Sequence, residues 1–361
     1  MNQIKSQKKP SRITSIDALR AVTLLGILIV HVQNGFGFHY SVELTGINSV
    51  ANIFISAFLS KKCNAIFSIL FGISFYLILR NPLNSSRKFF WRCFLLALIG
   101  LLNKLFYTFD ALMWYGICGM CLVTIRNMRP RNIFILFITL KMTTVFLSTL
   151  HLGDVLWGSS VHTRYELENS ITDIIKYPHA VIDYLRIVFN GGIFTTLSWF
   201  VLGYWFAVCG VIENLKTFVT WKFVVIGWIL YAITFGCILL GGRNFVTGFM
   251  GILSGALTYA ATVIYFYYNN HTVRNVFEKL EPYGKLGLTN YSMQGIIGII
   301  LMSRSGLSLY QYPLLIVLLF FFCFYLVQAV FSYYWLQHFR YDPMEYLWRV
   351  GTEMKIIDLK K

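Results

Sequence analysis

Two ionisable side chains, Arg20 and His31, stand eleven residues apart in the first apolar stretch. In an α-helix that spacing is about three turns, so both lie on one face, about 16 Å apart along the axis. A guanidinium binds phosphate in a bidentate manner, and an imidazole exchanges protons near neutral pH. Asp17 is expected to pair with Arg20. The pattern indicates phosphate binding and proton transfer, or else an arginine reaching the headgroups and a histidine bonded to a neighbouring helix.

Other polar residues beside apolar stretches are weaker candidates. Asp110 opens a later stretch at about the depth of His31, and Asn34 follows His31 by three residues. Asn290 and Gln294 share a face of another predicted helix. Hydrogen bonds between helices and an interfacial aromatic belt are the alternative explanation. Cys118 and Cys121 form a C-x-x-C, a spacing found in redox and metal sites, but it lies in an apolar stretch without nearby histidines, so the two are interpreted as small buried apolar residues. The histidine and cysteine spacings do not predict a metal site.

The elements that position these residues follow from composition. Of the 361 residues 57% are apolar and 13% are charged, about half the charged fraction of soluble domains. A soluble domain could not hide so much apolar surface, and disorder is excluded for the same reason. The long apolar runs also differ from the alternation of an outer-membrane barrel. The expected fold class is therefore all-α, a polytopic helical membrane protein.

About ten transmembrane helices are expected, since each crossing takes about 20 apolar residues. The first apolar stretch continues without a cleavage site and is interpreted as an uncleaved span. A shorter apolar piece at 50–60 is predicted to be re-entrant or interfacial. The predicted spans are roughly 16–34, 64–80, 89–106, 110–125, 132–150, 193–212, 223–241, 246–268, 286–303 and 313–336.

The net charge of +16 indicates cytoplasmic loops of a membrane protein, and not nucleic-acid binding. More than two thirds of the 31 lysines and arginines fall on one side of ten alternating crossings, so both termini are expected in the cytoplasm. A basic tail at 1–15 precedes a helical bundle at 16–340 with an outer loop at 151–192. The cytoplasmic segment at 341–361 is predicted to fold back, with Trp348 at headgroup level or against the bundle.

Four stretches resemble a known family. They are RITSIDALRAVTLLGILIV from residue 12, IFSILFGISF after Lys62, YGKLGLTNYSMQGIIG at 283–298 and YDPMEYLWR at 341–349. Together they resemble the YeiB-type family (domain of unknown function 418), which usually has Asn at the position of His31. IDALR, followed by ten residues and a histidine, also resembles the opening of the acyltransferase-3 family.

The resemblance implies an integral membrane acyltransferase of the bacterial inner membrane. It would move an acyl group, expected to be acetyl, from cytoplasmic acyl-CoA to an extracytoplasmic sugar or glycan. Expected partners are acyl-CoA as donor, a small acceptor and membrane lipid, without metal or nucleic acid, and a homodimer is left open. A non-enzymatic membrane protein, or a proton-coupled transporter of small solutes, is the alternative.

An acyl-transfer function would assign roles to two groups of residues. One group contains the imidazole, which acts as a general base or forms an acyl-histidine, and the side chains that orient it. The other group binds the phosphates of coenzyme A. The first group is His31, oriented by Asp110 or Asn34, and the second is Arg20, helped by Lys62, Arg87 or Arg349.

Overall fold

The computed structural model describes residues 13–38, 40–42, 45–80, 85–104, 110–150, 188, 190–242 and 245–361. These residues form helices joined by short turns and contain no β-strand. The predicted all-α fold class is confirmed. Most of the predicted outer loop at 151–192 and of the basic tail at 1–15 lies outside the described residues.

The helices are named α1 to α14 in chain order. They are α1 Thr14–Gln33, α2 Gly46–Phe58, α3 Lys62–Arg80, α4 Ser86–Lys104, α5 Leu112–Leu122, α6 Pro130–Leu150, α7 Gly192–Val208, α8 Leu215–Phe218, α9 Trp221–Gly241, α10 Phe245–Asn269, α11 His271–Lys285, α12 Gly287–Met302, α13 Leu314–His338 and α14 Pro343–Glu353.

Each of the ten predicted spans coincides with one helix. Within the described residues, six segments are long and apolar enough to cross a membrane. Five of them are α1, α6, α9, α10 and α13, and the sixth joins α2 to α3. Two further predicted spans are the shorter apolar helices that begin at Leu112 and Gly192. The chain is thus a polytopic helical membrane protein, and the number of ten crossings stays a prediction.

The helix α1 lies at the centre of the bundle. In an 18-residue apolar stretch of α1, 72% of the residues are buried, against 6% in the corresponding stretch of α9, whose side chains face outward. It packs against α2, α3, α10, α11, α12 and α13. Polar side chains on α1 are therefore held by neighbouring helices on several sides, which is what a site built on rigid elements requires.

Two glycines let α3 and α7 approach closely. A Cβ atom at Gly72 would overlap the carbonyl oxygen of Phe200, and one at Gly203 would overlap that of Ile69. Small residues permit such contact between helix backbones in membranes. We expect Gly203→Ala to lower the free energy of unfolding by about 1–3 kcal/mol, because the helices must separate to admit the methyl group.

Thermal unfolding of the purified protein in detergent measures this loss. The matched control is Gly236→Ala on α9, where a Cβ atom would meet nothing within 4 Å. That variant should unfold like the parent. Equal losses in both variants would contradict the importance of the α3–α7 contact.

Candidate functional site

The first half of the site is the ion pair near the beginning of α1. The carboxylate of Asp17 is buried and accepts a hydrogen bond of 2.7 Å from the guanidinium of Arg20. Arg20 also donates to the hydroxyl of Ser74 on α3. The guanidinium therefore has a fixed orientation, while its side chain keeps 23% of its surface exposed. The pairing predicted from the i,i+3 spacing is confirmed.

A second helix fixes the position of Asp17. A Cβ atom at Gly284 of α11 would overlap the carbonyl oxygen of Asp17, so the two helices touch through their backbones there. Asp17 also lies in the first turn of α1, where a negative charge is stabilised by the helix dipole. The ion pair with Arg20 is thus built on two packed helices.

The second half of the site surrounds His31 in the last turn of α1. The imidazole is 9% exposed and has edge contacts with two aromatic rings. The ring centroids lie 5.7 Å away for Phe36 and 6.2 Å away for Tyr291. Arg20 and His31 are therefore at opposite ends of one helix face, one partly exposed and the other enclosed.

The loop after α1 has an unusual backbone. Gly35, Phe36 and Gly37 all have positive φ angles, of 60°, 50° and 99°. Phe36 is the costly one, since side chains other than glycine rarely adopt this region. Its ring is fully buried, stacks on Phe321 at 5.2 Å and leaves no room for a Cβ atom at Gly298. Packing of the ring beside the imidazole compensates for the backbone strain, and such strain concentrates at functional sites.

Asp110 is linked to the His31 end of α1 through Tyr291. Its carboxylate is buried, accepts a hydrogen bond of 3.1 Å from Asn103 and accepts another of 3.1 Å from the backbone N–H of Leu112. The next residue, Ala111, donates its backbone N–H to the hydroxyl of Tyr291 at 3.0 Å. Tyr291 therefore joins the segment that holds Asp110 to the imidazole of His31.

Lys62 is predicted to help Arg20, but the two residues lie at different levels of the bundle. Lys62 is twelve residues from Ser74, the partner of Arg20 on α3, which is about 18 Å along the helix. Its ammonium donates to the carbonyl oxygen of Ala57 and lies 5.6 Å from the ring of Tyr231. The structure does not bring Lys62 to the guanidinium.

The other predicted residues occupy exposed or partly exposed positions. Arg87 is exposed in the first turn of α4. Arg349 on α14 pairs with Glu345 at 2.7 Å and stacks on the ring of Tyr341 at 4.5 Å. Asn34 is exposed at the end of α1, where its backbone N–H donates to the carbonyl oxygen of Val30.

A buried polar network joins α11, α12 and α13 next to α1. Asn290 donates to the carbonyl oxygen of Tyr283 and to the hydroxyl of Ser332, each at 3.0 Å. Gln294 donates to the hydroxyl of Tyr283, and that hydroxyl donates to Gln328 at 3.2 Å. The predicted shared face of Asn290 and Gln294 is confirmed. The sequence analysis did not identify Tyr283 and Gln328 as members of this network, although a glutamine within the apolar run of α13 indicates a polar contact inside the bundle.

The C-terminal helix α14 folds back against the bundle, as predicted. The indole of Trp348 donates to the carbonyl oxygen of Arg92 at 2.6 Å and lies under the guanidinium of Arg92 at 4.6 Å. Asp342 begins the helix by accepting from the backbone N–H of Glu345 and from the hydroxyl of Thr289. Thr289 lies in the first turn of α12, so this hydrogen bond ties α14 to that helix. Arg92 was missed.

The docking of α14 should depend on pH through Asp342. Burial, together with the charge of Glu345, raises the pKa of this carboxyl to about 6. A carboxyl that ionises near pH 6 when folded and near pH 4 when unfolded destabilises the fold by up to about 3 kcal/mol at pH 7. The folded state is least destabilised below pH 4, where the Asp342 carboxyl is protonated in both states. The free energy of unfolding falls as the pH rises towards 6, because the carboxyl then ionises in the unfolded state but resists ionisation where it is buried. We expect the thermal unfolding temperature to fall between pH 5 and pH 7.

The variant Asp342→Asn provides the comparison for this pH dependence. An amide keeps an acceptor oxygen for Thr289 and for the helix N-terminus but does not ionise. Its unfolding temperature should change less between pH 5 and pH 7 than that of the parent. An identical pH profile for the two proteins would rule out a role of Asp342.

No metal centre is present among the described residues, since nowhere there do three His, Cys, Asp or Glu side chains gather. Fold and site together define a class: a polytopic helical membrane protein whose central helix carries an ion pair at one end and an enclosed histidine at the other.

Comparison with known proteins gives a family match. Residues 213–355 match the family described as "Protein of unknown function (DUF418)", so the predicted resemblance to that family is confirmed. The likeness of the first span to acyltransferase-3 proteins stays a prediction.

Two relatives from bacilli match over nearly the full length. The chain is 26% identical over 409 residues to "Uncharacterized protein YxaH" of Bacillus subtilis (strain 168), covering 98% of this chain and 97% of that protein. It is 25% identical over 358 residues to "Uncharacterized 39.9 kDa protein in amylase 3'region" of Bacillus acidopullulyticus, covering 94% of each. No solved structure matches the chain.

Proposed function

We propose that this protein is an integral membrane acyltransferase that moves an acyl group, acetyl in the simplest case, from cytoplasmic acyl-CoA to a sugar or glycan outside. The observation that carries the proposal is the placement of Arg20 and His31 on one face of the central helix. Their separation of about 16 Å is comparable to an extended pantetheine arm. In the proposal, a nucleotide at Arg20 presents its thioester at His31.

The donor end of the proposed site is Arg20. Its guanidinium is oriented by Asp17 and Ser74, and 23% of the side-chain surface stays exposed, which makes it accessible to a coenzyme A phosphate. The planar fork suits an oxyanion better than an ammonium does. In the proposal, Arg349 on α14 and Arg87 on α4 add positive charge for the phosphates of coenzyme A.

The acceptor end is His31. In the proposed step the imidazole takes the proton of an acceptor hydroxyl or amine while that oxygen or nitrogen bonds to the acyl carbon. The carbon–sulfur bond breaks, and coenzyme A leaves as a thiolate that takes the proton back from the imidazolium, which restores the neutral imidazole. Phe36 and Tyr291 restrict the tilt of the ring, and Asp110 supports Tyr291 through the adjacent backbone. An acyl-histidine intermediate is the alternative route.

The proposal requires the beginning of α1 to face the cytoplasm, in agreement with the distribution of positive charge. Membrane vesicles with the cytoplasmic face outward test both points. Acetyl-CoA labelled in its acetyl group, supplied outside such vesicles, should label lumenal glycans when the parent protein is present but not when His31→Ala replaces it. Equal labelling with both proteins, or labelling only in vesicles of the opposite orientation, would contradict the proposal.

A further inference from the structure

Lys141 is a buried cation in a part of the bundle that the proposed reaction does not use. It lies in the middle of α6, about 16 Å from one end of that helix and about 14 Å from the other. The side chain is 3% exposed. Its ammonium lies 3.7 Å from the ring centroid of Trp199 on α7 and 5.2 Å from that of Phe249 on α10.

The helices around Lys141 offer it no counter-charge. None of α6, α7 and α10 contains an aspartate or glutamate, and neither do α3, α5 and α9 beside them. In the described part of the chain the ammonium makes neither a hydrogen bond nor an ion pair, and its partners are the two rings. Aromatic faces attract a cation, but they recover only part of the cost of taking it out of water. An ionisable residue in a membrane span is by default a functional site.

The surroundings of Lys141 are graded in polarity. Thr144 lies one turn further along α6 and faces Thr195 of α7, with 3.5 Å between the two hydroxyls. These threonines are partly exposed, whereas Lys141 and Trp199 are buried. The two threonines therefore form a polar and more accessible region between the ammonium and the end of the bundle where α6 ends and α7 begins. The walls beside the ammonium are aromatic.

We propose that Lys141 binds the carboxylate of an amphiphilic monocarboxylic acid, with the apolar body of that ligand against Trp199 and Phe249. One ammonium balances the charge of one carboxylate, whereas a phosphate dianion carries a second charge; α7 and α10 contain no cation, and the other cation of α6, Arg131, is ten residues away along that helix. The aromatic walls match a hydrocarbon chain. This site is independent of the proposed acyl transfer, since it uses α6, α7 and α10 in place of α1, α3 and α12.

Octanoate and its uncharged counterpart octanol are suitable probes for the purified protein at pH 7. Octanoate should bind the parent at least tenfold more tightly than octanol by isothermal titration calorimetry. Lys141→Met should abolish that preference, and Lys141→Arg should keep it. Lys222→Met, which removes an exposed lysine at the start of α9, controls for the loss of one positive charge and should keep it too. No preference in the parent, or an undiminished preference in Lys141→Met, would overturn the proposal.

A cross-linking measurement on the parent protein covers the case in which Lys141→Met fails to fold. Octanoate carrying a diazirine at its far end, irradiated with the protein, should label peptides of α6, α7 or α10. Excess octanoate should suppress the label, and excess octanol should not. Label confined to other helices would overturn the site.

Discussion

Replacing His31 by alanine is expected to reduce acyl transfer at least about a hundredfold while leaving the affinity for acetyl-CoA unchanged. General acid–base catalysis by one positioned side chain contributes about 10²–10⁴ in rate. Removal of a group that acts only in the transition state lowers kcat without weakening substrate binding. Labelled transfer in oriented vesicles measures the rate, and calorimetry measures the binding.

Two further variants separate chemistry from structure at His31. His271→Ala removes an exposed histidine from the first position of α11 and should leave the rate unchanged. His31→Asn introduces the residue that the YeiB-type pattern usually carries, keeps a polar side chain and removes the base. It should fold like the parent and be as slow as His31→Ala. Full activity of His31→Asn would contradict a catalytic imidazole.

The second large effect is expected at Phe36. Truncating a fully buried phenylalanine leaves a cavity and costs about 3–5 kcal/mol. The left-handed backbone at this position remains unfavourable for alanine, so the strain persists after the compensating contacts with Phe321 and His31 are gone. We expect Phe36→Ala to lower the thermal unfolding temperature strongly and to reduce acyl transfer as well.

A control from the surface of the bundle tests the explanation for Phe36. Phe146 on α6 is 62% exposed, and its truncation should leave thermal unfolding unchanged. Phe36→Leu should lose less stability than Phe36→Ala, because it fills more of the cavity. A Phe36→Ala protein as stable as the Phe146→Ala protein would show that the loop is not held by this ring.

The helices of this protein were predictable from local pattern. Apolar runs of about 20 residues identify spans without knowledge of their neighbours, so α1 was expected at 16–34 and is found at Thr14–Gln33. The pairing of Asp17 with Arg20 was predictable for the same reason, because both residues lie on one helical turn. The return of α14 to the bundle also followed from a local feature, an apolar Trp348 beyond the last span.

The contacts that complete the site were not predictable in this way. Tyr291 meets Ala111 although the two residues are 180 positions apart in the chain, and no helical period relates them. Phe36 reaches His31 through positive φ angles that composition does not reveal. The separation of Lys62 from Arg20, in contrast, agrees with the alternating crossings, because Lys62 precedes the second predicted span at 64–80 and Arg20 lies near the start of the first.

Binding of acetyl-CoA to the purified parent protein and to Arg20 variants is the most direct test of the central claim. The parent should bind acetyl-CoA, and Arg20→Ala should bind it more weakly by about 1.5–3 kcal/mol, the contribution of a hydrogen bond to a charged group. Arg20→Lys should recover only part of the loss, because a point charge lacks the bidentate fork. His31→Ala should bind like the parent. A parent protein that does not bind acetyl-CoA would contradict the proposed function.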